Sequence, residues 1–431
     1  MKPANRDGAL QAVLQPVNED TPHACARSCL SERMLRVFVR NVLVWRFRGN
    51  ACRRGGSGGP DAVFGRFRLQ VGAMNVPENV AAPRLPWRLR LVNWFRRRVR
   101  RWFQWRAPAN PAVDANSLTW QQSRVVKVVA GLIPAHRLPP FVLRRAYRIS
   151  TTPFHIDAVP VRTCRNLRLD SGLRLRVYTP ASAAVSGAPA LMFYHGGGCV
   201  IGDLETHDTL CRHLANQSEQ HVIAVDYRLA PRHRFPAQAL DAIEAFNWVA
   251  GEAASLGIDV NRLGVGGDSA GGYLSTLLCQ QALNPTLGGQ PARMPAYQWL
   301  VYPAVDFREE AVTGGFPSGV VLTDELMRYF GEHVIPPGLD VTRPDVSPLL
   351  AESLAGMPRG MVLTVGHDPL CMQGRNYVER LRGAGVATTH LHFPRLMHEF
   401  VSMGGVCPDS RAALGVASET LRDLAWADTY T

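Results

Sequence analysis

From about residue 160 onward, short apolar runs alternate with longer stretches of helical pattern. Residues 190–194, 222–225 and 263–265 read as buried strands, and so do 299–302 and 361–365. Helical patterns lie between them at 236–254, 270–283 and 374–383, while 388–393 alternates like a strand with His390 and His392 on one face. Continuous apolar strands separated by helices predict an α/β fold, a mostly parallel sheet with helices on both faces. Such sheets gather their chemistry at the carboxyl ends of the strands, so the residues just past each apolar run matter most.

The run 263–265 leads into Gly266-Gly267-Asp268-Ser269-Ala270-Gly271-Gly272 and then a helical pattern. Gly267-x-Ser269-x-Gly271 is thus a G-x-S-x-G in a strand-turn-helix setting, which exposes a serine hydroxyl above the N-terminal amides of a helix. Alone the pentapeptide is a weak signal, since a glycine-rich packing turn would look the same. A second strand, ending at Tyr194, leads into His195-Gly196-Gly197-Gly198, where consecutive glycines leave backbone amides free to turn toward an oxyanion. Together the two strand ends supply a nucleophile and an oxyanion hole.

A base and an acid are then expected in the order Ser, Asp, His. After Ser269 the histidines are His333, His367, His390, His392 and His398. His398 lies in a loop just past an alternating strand, where an imidazole can reach the serine. Asp368 directly follows the strand 361–365, whereas its competitor Asp345 sits in a Pro-rich loop. The preferred catalytic set is Ser269, Asp368 and His398.

These stretches resemble the hormone-sensitive-lipase-like family of α/β hydrolases, in particular its bacterial carboxylesterases. The likeness spans most of residues 115–430. It runs through His195 to Gly198 and Asp226-Tyr227-Arg228-Leu229-Ala230-Pro231, then Gly267 to Gly272, Tyr302-Pro303, Ser347-Pro348-Leu349-Leu350, Asp368-Pro369-Leu370 and His398. It implies the α/β-hydrolase fold with a helical cap, a Ser269–Asp368–His398 triad, and an oxyanion hole from the amides of Gly196, Gly197 and Ala270, with His195, Gly198 and Asp268 in support. It also implies a cap built from residues 111–160 and an insertion at about 306–345 on a catalytic domain spanning 161–431. Phe141, Tyr147, Phe316 and Tyr329 are candidates to line that cap. The expected activity is hydrolysis of small-molecule esters with short to medium acyl chains through an acyl-enzyme, with no metal and no cofactor. An amidase or deacetylase using the same triad, and a non-catalytic binding protein on this scaffold, remain alternatives. The departures from the family pattern are Cys199, Tyr273, Cys371-Met372-Gln373, Glu399, Arg232 and Arg234.

Charge divides the chain differently. The net charge is +13, yet residues 1–110 hold 21 Lys+Arg against 6 Asp+Glu, which leaves 27 basic and 35 − 6 = 29 acidic groups for the rest. A boundary near 110 follows, with a basic Arg/Trp-rich extension before it. Met74 offers an alternative start inside that extension. Within 86–106, Trp87, Leu91, Phe95, Val99 and Trp102 recur at helical spacing among Arg96, Arg97, Arg98, Arg100 and Arg101. Three readings stand: a poorly ordered extension, an amphipathic helix on an anionic membrane, and nucleic-acid binding, ranked last because no known module is present. Nine scattered cysteines without a C-x-x-C pair fit reduced thiols rather than a disulfide framework. No apolar run of membrane-spanning length and no secretory signal is visible, so a cytoplasmic, membrane-peripheral location is expected. A homodimer is compatible with the sequence.

Overall fold

The computed structural model describes residues 84–104, 118–129, 134–182, 187–289, 291, 293–313 and 321–427, all within one compact unit, Asn79–Thr431. The chain order is α1 (Trp87–Gln104), α2 (Trp120–Val129), α3 (Pro140–Thr151), β1 (Thr163–Arg168), β2 (Arg174–Thr179), β3 (Ala188–Tyr194), α4 (Asp208–Ser218), β4 (His221–Asp226) and α5 (Ala237–Gly251). It continues with β5 (Ile258–Asp268), α6 (Ala270–Leu283), β6 (Gln298–Val301), α7 (Glu309–Thr313), α8 (Asp324–Val334), β7 (Gly360–His367), α9 (Cys371–Gly383), β8 (Thr388–Met397) and α10 (Pro408–Trp426).

One sheet of eight strands runs β1-β2-β4-β3-β5-β6-β7-β8, antiparallel at the β1-β2-β4 edge and parallel from β4 to β8. The period-two side-chain alternation sorts its residues into two cores. On β3, Ala190, Met192 and Tyr194 join the core beneath α5, α6 and α9, while Leu191 and Phe193 face α4 and α10. Both faces of the central strands are covered, which is why they read as uninterrupted apolar runs. The first turn of α8 shows its local cause: the Thr323 hydroxyl accepts from the Leu326 amide, and Asp324 and Glu325 stand at the positive end of the helix.

Helices α3 and α8 lie over the loops at the carboxyl ends of the strands. Arg144 of α3 donates to the carbonyls of Val200 and Ala230, at 2.7 Å each. The Phe330 ring of α8 lies so close to Gly198 that a Cβ there would come within 2.3 Å of it. Before them, α2 docks through Gln122, which donates to the Ser410 hydroxyl at 3.3 Å.

The boundary expected near residue 110 is not a structural one. Helix α1 docks on the segment 152–158, where Asn93 and Ala158 exchange two hydrogen bonds of 2.9 Å. Arg96 donates to the carbonyls of Thr152 and Ile156, and Arg100 to that of His155. A charge sum is blind to this, because these arginines bind carbonyl oxygens as well as carboxylates. The rest of the basic extension, with Met74, lies outside the described residues. Among the described residues no helix is long and apolar enough to cross a membrane.

Candidate active site

Strand register assembles the site. Tyr194 at the end of β3 pairs with Gly267 at the end of β5, so the tri-glycine turn and the serine turn emerge side by side. At the other edge His367 pairs with Met397, which sets Asp368 beside His398. The serine turn depends on its glycines. A Cβ on Gly267 or Gly271 would lie 2.1 or 1.7 Å from the Tyr194 carbonyl oxygen, so only glycine lets β3 and the start of α6 approach this closely.

Ser269 sits in that turn at φ 53°, ψ −116°, a conformation that a serine adopts only under constraint. Its amide is held by the Val301 carbonyl at 2.8 Å. Among the described residues, the other non-glycine residues with positive φ are Cys199, Tyr302, Glu399 and, far from the site, Glu219. Strained backbone therefore clusters around Ser269.

His398 Nδ1 lies 2.7 Å from Asp368 Oδ2, and His398 Nε2 lies 2.9 Å from Ser269 Oγ. Asp368 is wholly buried, and its other oxygen accepts from the Leu370 amide at 2.9 Å. A carboxylate on Nδ1 keeps the proton there and leaves Nε2 to accept from the serine hydroxyl. Burial alone would lower the His398 pKa; the carboxylates of Asp368, Glu399 and Asp268, Asp368 foremost, together outweigh it, and the net shift is upward.

The tri-glycine turn departs from expectation at one position. The Gly196 amide, read as an oxyanion donor, instead donates to Asp268 Oδ1 at 2.9 Å. Gly197 and Gly198 have φ of 108° and 57°, and no hydrogen bond within the described residues engages their amides or that of Ala270. Asp268 fixes this turn from below. Burial opposes its ionisation, but His207, 3.3 Å away, and the Gly196 amide hold its carboxyl below the ordinary range. His195 contacts the same turn through Gly196 O at 2.8 Å, and stacks on Tyr227, whose hydroxyl donates to the His195 carbonyl at 2.5 Å. Cys199 is no rival nucleophile, since burial pushes its thiol up to about 12 and keeps it protonated.

The other candidates lie elsewhere. Asp345 pairs with Arg343, His390 and His392 both meet the Thr364 hydroxyl at 2.9 Å, and His333 sits on α8 against the Tyr329 carbonyl. Of the candidate cap residues, Tyr147 donates to Glu399 Oε1 and Tyr329 to the Leu138 carbonyl, whereas Phe141 is exposed. Phe316 lies outside the described residues. Sequence reasoning did not anticipate His207, which opens an ordinary helical stretch and carries no motif, nor the ring of Tyr302, 4.3 Å from that of His398. The Tyr302-Pro303 pair was a visible signal for the latter.

Among the departures, Glu399 is anchored by Tyr147 and by the Ser402 hydroxyl at 2.8 Å. Tyr273 is buried against Phe307, with ring centres 4.8 Å apart, and Gln373 accepts from the amides of Val305 and Asp306. Arg234 donates to the carbonyls of Glu332 and Ile335 at the end of α8.

Residues 191–402 match a protein family described by the alpha/beta hydrolase fold. The chain is 40% identical to the carboxylic ester hydrolase LipN of Mycobacterium tuberculosis over 232 residues, 53% of this chain and 61% of LipN. It is 37% identical to an ethyl acetate hydrolase of Pseudomonas putida over 299 residues, 68% of this chain and 92% of that one. A solved ester hydrolase from the metagenome of Lake Arreo, in complex with a bipyridine phosphonate derivative, superimposes with a TM-score of 0.66 at 38% identity, covering 71% of this chain and 98% of its own. The sheet order, the serine turn between β5 and α6, and these likenesses agree: the chain belongs to the hormone-sensitive-lipase-like family of α/β hydrolases.

Proposed function

We propose that this protein is a serine carboxylic-ester hydrolase acting on small-molecule esters with short to medium acyl chains. The observation that carries the reading is the continuous relay from Asp368 through His398 to Ser269, at 2.7 and 2.9 Å, beside a turn whose Gly197 and Gly198 amides are unengaged among the described residues. His398 Nε2 takes the proton of Ser269 Oγ as the oxygen attacks the ester carbonyl, and Asp368 stabilises the imidazolium that forms. The amides of Gly197, Gly198 and Ala270 receive the tetrahedral oxyanion, and removal of one such donor typically costs about 3 kcal/mol of transition-state stabilisation. Protonated His398 then delivers its proton to the departing alcohol oxygen. Water, activated by the same imidazole, cleaves the acyl-enzyme and regenerates Ser269.

The names of the relatives, a carboxylic ester hydrolase and an ethyl acetate hydrolase, support the ester bond and the short acyl group. The test is hydrolysis of p-nitrophenyl esters of increasing acyl length by the purified protein beside Ser269→Ala. The reading expects activity that declines with length and vanishes in the variant. A folded protein inert on every ester yet active on matched anilides would make it an amidase.

A further inference from the structure

Helix α1 is built inside out. Its inward face is anchored by polar groups: Asn93 and Arg96 are buried, and with Arg100 they bind the backbone of 152–158, while Val99 beside them packs on the cluster around Phe154. Its outward face carries the large apolar side chains, with Trp87 62%, Leu91 43% and Trp94 53% exposed. At about 100° per residue these three fall within an arc of roughly 60°, opposite Asn93, Arg96 and Arg100. A helix facing water places its apolar stripe inward and its charges outward. Here the arginines anchor the helix and the tryptophans are presented.

The charge around that ridge is of one sign. None of the 18 residues of α1 is acidic. Arg97 has a distant partner in Asp157 at 3.8 Å, while Arg88, Arg90, Arg98 and Arg101 pair with no carboxylate among the described residues. The guanidinium groups of Arg88 and Arg98 instead lie over the rings of Trp87 and Trp94, each 5.6 Å from the ring centre. The outward face is thus an indole and leucine ridge flanked by free cations.

We propose that this face docks on an anionic phospholipid surface. Indole rings settle at the headgroup level, where their apolar body and polar N–H are both accommodated. Leu91 adds apolar depth, and the flanking arginines meet lipid phosphates. Single-stranded nucleic acid also favours arginine and aromatic side chains, but its binders track the backbone along a groove. This ridge stands on the convex side of a single helix.

The experiment uses the full chain and Trp87→Ser/Trp94→Ser, compared by co-sedimentation with vesicles of pure phosphatidylcholine and of phosphatidylcholine with phosphatidylserine. Circular dichroism checks that the variant keeps its fold, since both side chains point outward. Wild type should pellet with the serine-lipid vesicles, lose binding in high salt, and ignore the neutral ones. The variant should bind roughly tenfold more weakly. Equal pelleting of variant and wild type, pelleting on neutral vesicles alone, or no pelleting at all overturns the proposal. So does a single-stranded oligonucleotide that binds through the same tryptophans while vesicles do not.

Discussion

The strand-end site and helix α1 are both built on buried polar groups, with opposite results. Around Ser269 the polar groups hold one another in place: Asp368 holds His398, His207 and the Gly196 amide hold Asp268, and Tyr227 holds the His195 carbonyl. What is left without a partner among the described residues includes the amides of Gly197, Gly198 and Ala270. On α1 the buried groups are spent mainly on the backbone of 152–158, with Arg100 also paired to Asp157, and what is left over is an outward ridge of tryptophan and leucine. The comparison teaches that a buried polar network is informative through what it leaves unpaired. In the first region that is a group of backbone amides at the serine turn, and in the second an exposed apolar ridge.

The contrast can be broken most sharply at Asp368. Asp368→Asn should lower kcat by about four orders of magnitude with the far-ultraviolet spectrum unchanged, because the histidine loses its tautomer control. An unaltered rate would hand the acid role to another carboxylate. Gly271→Ala should act on the fold instead. Its Cβ has no room beside the Tyr194 carbonyl, so urea unfolding should report a loss of about 3 kcal/mol or more. On the other side of the comparison, Asn93→Ala removes the reciprocal pair with Ala158. It should cost about 1–3 kcal/mol, read as earlier protease cleavage before residue 118 with turnover retained. Loss of turnover would tie α1 to the catalytic site.

The smallest effect concerns Glu399. His398 must be neutral to act as base, and its raised pKa sets the acid limb of kcat/KM above the ordinary imidazole range. Burial pulls that pKa down, Asp368 pulls it up, and Glu399 adds to the upward pull. Glu399→Gln should therefore move the acid limb to lower pH. A limb that stays in place, or rises, removes Glu399 from the electrostatics of the histidine.

Much of the site was legible because it is written in contiguous motifs. Ser269, Asp368 and His398 each follow a strand, and the apolar runs at 190–194, 222–225, 263–265, 299–302 and 361–365 fall within or overlap β3 to β7. Strands β1 and β2 were not legible. They form the antiparallel edge, and TCRNLR and RLRVYT place arginines on exposed positions where a buried strand would be apolar. The Gly196 amide was misread because a glycine run reports that amides are free to turn, not which one a side chain 72 residues away will capture. The charge step at 110 misled for a related reason. Composition counts Arg96 and Arg100 as surface charge, whereas both are spent inward on carbonyl oxygens.

Whether Ser269 Oγ is the nucleophile is decided by intact-mass analysis after treatment with a fluorophosphonate. A single adduct is expected, mapped by peptide sequencing to Ser269, formed in step with loss of esterase activity and absent from Ser269→Ala. Adduct formation on another residue, or undiminished labelling of Ser269→Ala, would contradict it.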